Sequence, residues 1–319
     1  MSANIRERNA ERSTYGGCGM LEMSARVDNV VWLGDRDAAL QQIGGKASQL
    51  SRLASLHRVP PGFAITARSF GSGQHLSDEL RTEIAAAYRQ LAEQTGEAEP
   101  RVAVRSSAID EDGPQASFAG QHETFLNVAG VDAVIEAVER CVDSATTAQV
   151  LAYRNLHGLS TEGIGIAVLV QQLVLADVSA VLFSANPING RRNEMVLTAS
   201  WGLGESVVGG TVSPDTWIID ATSHDVIMTS IGTKQRMTVA IPGGTREVEV
   251  PRMLREQFSL TEAQVREVAR LGRMLESVQG WPVDIEIAFA GGELYLLQCR
   301  PITTLNHAME GGQRYESAA

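Results

Sequence analysis

The chain has 319 residues, 44% of them hydrophobic and 20% charged, enough for one large domain or two lobes with a real core. A formal net charge of -11 argues against nonspecific binding to nucleic acid or an anionic membrane; a polyanionic ligand would need locally concentrated positive charge or a metal. Cys18, Cys141 and Cys299 lie far apart with no CxxC pair, which excludes a disulfide framework and a structural zinc site and fits a reducing cytoplasm.

The first 24 residues mix Arg and Glu with Ser, Asn and Gly, so 1–24 read as a disordered extension rather than a signal peptide. Val30 to Leu33 predicts a first strand. IGGKAS follows, leading into Leu50, Leu53 and Leu56 at helical spacing. Two glycines and Lys46 at a helix start suggest an anion site, although Leu40 and Ala47 rule out a Walker A loop. Arg58 to Thr66, RVPPGFAIT, reads as a turn into a strand. Asp78 to Thr95 carries Leu80, Ile84, Ala87, Tyr88 and Leu91 on one helical face.

The stretch from Arg101 to Val128, RVAVRSSAIDEDGPQASFAGQHETFLNV, carries the densest chemistry. A buried strand ends on Arg105, followed by Ser106 and Ser107. After an acidic triplet and Gly113-Pro114 comes the small-residue run Ser117 to Gly120, then a second strand from Glu123. Small residues let backbone N–H groups approach phosphate oxygens, and a strand-end guanidinium adds two-point charge. A surface hairpin with an incidental arginine is the alternative. Val131 to His157 predicts another helix; His122 and His157 read as structural or solvated.

The longest apolar run, Ile164 to Phe183, is broken by Gln171, Gln172 and Asp177, which argues against a membrane span. Its first part, Ile166 to Val174, predicts a strand leading to a second lobe; Ser179 to Pro187 predicts a strand and turn. Gly202 and Gly204 resemble part of a dinucleotide loop, but Val207 stands at the third glycine. Thr261 can cap a helix carrying Leu271 and Leu275. Near the end, PVDIEIAF and LYLLQCRP flank Gly291-Gly292. Period-two alternation puts Asp284 and Glu286 on one face, and likewise Gln298 and Arg300. Paired as a hairpin, they bring a carboxylate, an amide oxygen and a guanidinium together, which suits magnesium beside phosphate; an exposed polar face is the other reading. Residues 306–319 read as a disordered tail.

Four motif clusters, GGKASQL with VPPGFAIT, RSSA to FLNV, VLVQQLV to GTKQR, and VDIEIAF to LQCRPIT, resemble in order the nucleotide-binding domain of phosphoenolpyruvate synthase, pyruvate phosphate dikinase and rifampin phosphotransferase. The resemblance covers roughly Trp32 to Leu305. It implies an α+β, two-lobed ATP-grasp fold with ATP and Mg2+ in a cleft between lobes at 25–172 and 173–305. By the same resemblance, Lys46, Arg105 and Arg300 carry the phosphate chemistry. Ser117, Gly120 and Thr124 belong to the phosphate-covering hairpin, and Gln171, Gln172, Leu173 and Val174 read adenine through their backbone. Glu205 lies in a matched motif, as does Lys234, and Glu286 and Gln298 hold the metal.

The implied activity is an ATP-dependent, dikinase-type phosphotransferase in which a histidine attacks the β-phosphoryl group and AMP and phosphate leave. Family members continue into a swivelling, histidine-bearing domain, and no such pattern follows Arg300. The expected acceptor is a histidine on a separate or removed swivelling domain, or else a small molecule, with no nucleic-acid or membrane partner. An ATP-grasp ligase forming an acyl phosphate and a nucleotide-binding regulator without turnover stay open as alternatives.

Overall fold

The computed structural model describes residues 29–35, 42–70, 75–109, 123–144 and 165–303, with single positions at 147, 150, 152, 156 and 305. The expected disordered segments 1–24 and 306–319 lie outside the described residues. So do Ser117, Gly120, His122 and His157.

Short apolar runs build a first antiparallel sheet from β1 (Val30–Trp32), β2 (Gly62–Ile65), β3 (Val102–Ala108), β4 (Thr124–Val128) and β5 (Ile166–Gln172). Their order is β1-β2-β5-β3-β4. β5 is central, and the apolar run Ile166 to Val170 with which it begins follows from being covered on both faces. One cover is α2 (Asp78–Thr95) with α3 (Val131–Ser144). Ile84, Leu91, Val134, Val138 and Val142 meet Phe63, Val104, Val168 and Val170 there. Ser77 caps α2 by accepting from the Leu80 N–H at 3.2 Å, and Gly96 ends it at φ 71°. The helix expected from Val131 to His157 is described as a continuous helix only to Ser144.

The other cover is α1 (Gly44–Leu53), whose Ala47, Leu50 and Leu53 share one apolar core with Ala64 and Leu169 of the first sheet and with the second sheet. That second sheet contains β6 (Val178–Phe183), β7 (Glu194–Trp201), β8 (Asp215–Asp220), β9 (Val226–Ser230), β12 (Val283–Ala290) and β13 (Glu293–Pro301), ordered β13-β12-β6-β7-β8-β9. Between β9 and β12 the chain makes a separate hairpin, β10 (Arg236–Ile241) with β11 (Gly244–Glu249). The short helices α4 (Glu205–Val208) and α5 (Arg252–Arg255) precede and follow that hairpin.

α6 (Glu262–Gln279) lies on the second sheet with Val265, Val268 and Leu275 buried. It starts in a capping box: Thr261 Oγ1 accepts from the Gln264 N–H at 3.3 Å, and Gln264 Oε1 accepts from the Thr261 N–H at 2.9 Å. Gly272 lets it come close, since a Cβ there would sit 2.2 Å from Leu182 Cδ2. Among the described residues no helix is long and apolar enough to cross a membrane.

Candidate functional site between the sheets

The chain leaves the first sheet at Gln172 and enters the second at Val178. Around this crossing lies a cavity of about 590 Å³, a size suited to a small-molecule ligand. Lys46 reaches it from α1, Arg105 from β3, Thr124 from β4, Gln171 to Val174 from the crossing and Glu205 from α4. Glu286, Gln298 and Arg300 complete it from the last hairpin. The described residues expected to meet nucleotide or metal therefore border one space, Lys234 excepted.

Arg105 ties the two sheets together. Its Nη1 donates to Leu297 O at 3.0 Å, and its Nη2 lies 3.6 Å from Glu286 Oε2, with both side chains 14% exposed. Leu297 is available because β12 and β13 slip at a bulge. Glu286 pairs with Gln298 and Ile287 with Leu296, so Leu297 stands outside the ladder. Within that hairpin Asp284 pairs with Arg300 as Glu286 pairs with Gln298, placing the four polar residues on one face as the alternation predicts.

Arg300 Nε donates to Asp284 Oδ2 at 2.8 Å. Asp284 is only 4% exposed, and burial pushes its carboxyl up to about 6; Arg300 pulls it back, and the neighbouring Glu286 charge raises it. Its Oδ1 is buried without a hydrogen-bond partner. Sequence alternation placed Asp284 on this face without giving it a metal role. An orphaned carboxylate oxygen beside a Glu–Gln pair is a hard-oxygen donor set that fits Mg2+, which takes few protein ligands and completes its shell with water and phosphate. Among the described residues no group of three or more His, Cys, Asp or Glu makes a self-sufficient metal centre.

The GGK segment is built differently from an open anion site. Gly44 has φ 73°, and a Cβ there would fall 2.0 Å from Ser107 O. Ser107 Oγ accepts from the Ala47 N–H at 3.3 Å. Glycine and one helix-start donor are thus used to dock α1 on β3, and the docking brings Lys46 to the cavity beside Arg105.

The crossing segment is also more committed than its sequence shows. Gln171 Nε2 donates to Pro60 O at 3.1 Å and Gln172 Nε2 to Glu97 Oε1 at 3.1 Å. The N–H groups of Gln172 and Leu173 go to Pro61 O and Arg101 O at 2.9 and 2.8 Å. Both amide side chains are therefore occupied inside the protein.

The sequence reading missed the apolar lining, chiefly Leu126, Leu203, Val207 and Val208. Leu126 was findable, because it follows Thr124 by two on the same strand. Lys234 lies outside the cavity. It is fully buried and donates to Asp215 and to Gly232 O, a structural pairing at the foot of β10. Gly204 leads only into the four-residue α4, so no dinucleotide loop forms.

Two antiparallel sheets, each covered by helices, close on a charged cleft in an α+β arrangement. The chain belongs to the pyruvate phosphate dikinase AMP/ATP-binding domain family, whose description matches residues 72–317. It is 42% identical over 231 residues to a probable phosphoenolpyruvate synthase of Methanocaldococcus jannaschii, covering 72% of this chain and 19% of that one. It is 43% identical over 239 residues to the phosphoenolpyruvate synthase of Pyrococcus furiosus, covering 72% and 29%. A rifampicin phosphotransferase of Streptomyces sviceus is 34% identical over 300 residues, covering 82% and 34%. The chain thus spans about a fifth to a third of the length of these relatives. Among solved structures, D-alanine-D-alanine ligase from Helicobacter pylori aligns over 82% of this chain and 54% of that one, at TM-score 0.34 and 10% identity, too distant to bear on the site.

Proposed function

We propose that this chain binds Mg-ATP between its two sheets and readies it for phosphoryl transfer to a histidine on a swivelling domain, carried on the same or another polypeptide. The observation that supports it best is the convergence of Lys46, Arg105 and Arg300 with Glu286 and Gln298 in one cavity spanning both sheets. Adenine would lie against residues 171–174, between apolar side chains such as Leu126 and Leu203. Phosphates would meet the three cations.

In this reading, Arg105 and Glu286 neutralise each other across the cleft until ligand arrives. Arg105 then turns to phosphate oxygens, and Glu286, with Gln298 and Asp284, is left to hold Mg2+. Held there, Mg2+ would supply charge neutralisation for the phosphates. The side chains contribute positioning and charge stabilisation to a loose transition state, and no protein base is required beyond the acceptor. The two described cysteines are buried thiols rather than disulfides, which supports a cytoplasmic setting.

The test uses ATP labelled at the β or the γ position, with and without a histidine-bearing swivelling domain. Slow turnover alone, then AMP formation and label on the histidine when that domain is added, is the expected result. Rapid ADP formation with a carboxylic acid and no second protein overturns it in favour of a ligase. Saturable stimulation by another small molecule without a phosphoprotein would identify that molecule as the acceptor.

A further inference from the structure

We propose that Asn127 is a positioning residue of this cleft: it clasps the β10–β11 hairpin to the first sheet and thereby fixes how far the α4 wall stands from the β4 wall. The inference rests on the nucleotide reading of the cleft and adds the device that keeps the cleft narrow.

Asn127 is 2% exposed and has φ 60°, a left-handed backbone that asparagine tolerates better than most residues. It sits at a bulge, since Val102 pairs with Val128 and Val104 with Phe125. Its Nδ2 donates to both Ile241 O and Gly244 O, on either side of the hairpin turn. That turn is Pro242-Gly243 with Gly243 at φ 81°, the residue pair of a stiff type II turn. Arg101 Nη1 donates to Asn127 Oδ1 at 2.7 Å, which fixes the amide with its donors toward the two carbonyls. The partners are 114 and 117 residues away in sequence, so these bonds do nothing to build β4 itself.

The hairpin carries this restraint to the cleft. Thr238 on β10 exchanges a hydrogen bond with Ser206 Oγ of α4 at 2.7 Å, and Thr238 O accepts from the Leu203 N–H at 2.9 Å. Leu203, Val207 and Val208 line the cleft, as do Thr124 and Leu126 on the strand that carries Asn127. A second cavity of about 610 Å³ borders the clasp and shares Thr124, Leu126 and Glu205 with the first. Releasing the hairpin tip would merge the two spaces and open the side of the cleft to water.

The test is Asn127→Asp in the full chain, with MgADP as the probe. Aspartate keeps the tolerance for φ 60° and the Arg101 partner, but it has no donor and opposes two carbonyls. Expected are about tenfold faster MgADP dissociation, the effect of one to two net hydrogen bonds, faster amide exchange at 241–246 and a Tm lowered by a few degrees, with Thr261→Ala as the control that lowers Tm without changing nucleotide affinity. Asn127→Gly, which adds no carboxylate, should behave alike if the aspartate variant folds poorly. Thr238→Val removes the side-chain link of the same relay at its other end and leaves Thr238 O on the Leu203 N–H, so the losses in the double variant should be less than additive. Affinity and dissociation rate within twofold of wild type, additive losses, or losses that follow Tm alone overturn the clasp. Failure of the wild type itself to bind MgADP overturns the nucleotide reading and the clasp together.

Discussion

At the residue scale, the groups already engaged before ligand arrives decide what each side chain can do. Arg105 holds Leu297 O and faces Glu286, a fork used in two directions. Lysine would keep the charge and lose that geometry. Arg105→Lys should weaken ATP by about tenfold or more, the scale of a charged hydrogen bond, and leave adenosine nearly unaffected in titration calorimetry. Equal losses for both ligands would mean that the arginine only holds the sheets together. Glu286→Gln should abolish most Mg2+-dependent turnover, with adenosine affinity retained, because an amide is a poorer ligand for a hard cation. Retained turnover at ordinary Mg2+ concentrations would remove Glu286 from the metal site. The shared face of Asp284, Glu286, Gln298 and Arg300 was legible because strand alternation fixes it, whereas Lys46 and Arg105 were singled out by a Gly-Gly helix start and a strand end. The internal partners of Gln171 and Gln172 were not, since Pro60 and Glu97 reach them only through folding. Asp284 was placed on the right face, but its burial and lone oxygen depend on neighbours that no local pattern encodes.

At the scale of elements, the long helices were legible because their apolar period and caps agree. α6 joins the Thr261 capping box to a buried stripe, and α2 joins the Ser77 cap to Gly96. Thr261→Ala should cost about 1 kcal/mol, read as a fall of a few degrees in Tm, and leave nucleotide affinity untouched. A change in affinity would show that α6 is coupled to the cleft. Gly44→Ala should do both, because its Cβ would strike Ser107 O and α1 carries Lys46. The β10–β11 hairpin escaped the sequence reading. Its strands are mostly half-exposed, so they carry no strong alternation, and its hold on the molecule lies in Thr238 and the distant Asn127.

At the scale of the whole molecule, the two sheets are less separable than a two-lobed description implies. The chain changes sheet between Gln172 and Val178. The core does not divide there. Val31, Ala64 and Leu169 from the first sheet, with Ala47, Leu50 and Leu53 of α1, belong to the same buried cluster as Leu182, Leu197, Ile285 and Leu275 of the second half. A fragment ending at residue 172 would expose one face of its sheet and the inner side of α1 together. Exposed apolar surface of that kind drives aggregation. Residues 25–172 and 173–305 made separately should each be insoluble or lack native-like tertiary signals, whereas the whole chain should unfold in one transition by circular dichroism and fluorescence. Two separate transitions, or a well-dispersed NMR spectrum from either half alone, would show that the lobes fold independently. One shared core has a functional consequence as well. With the sheets fixed along α1, ligand entry would be accommodated where α4 and the β10–β11 hairpin border the cleft, joined to each other and to β4 by the Ser206–Thr238 and Asn127 hydrogen bonds.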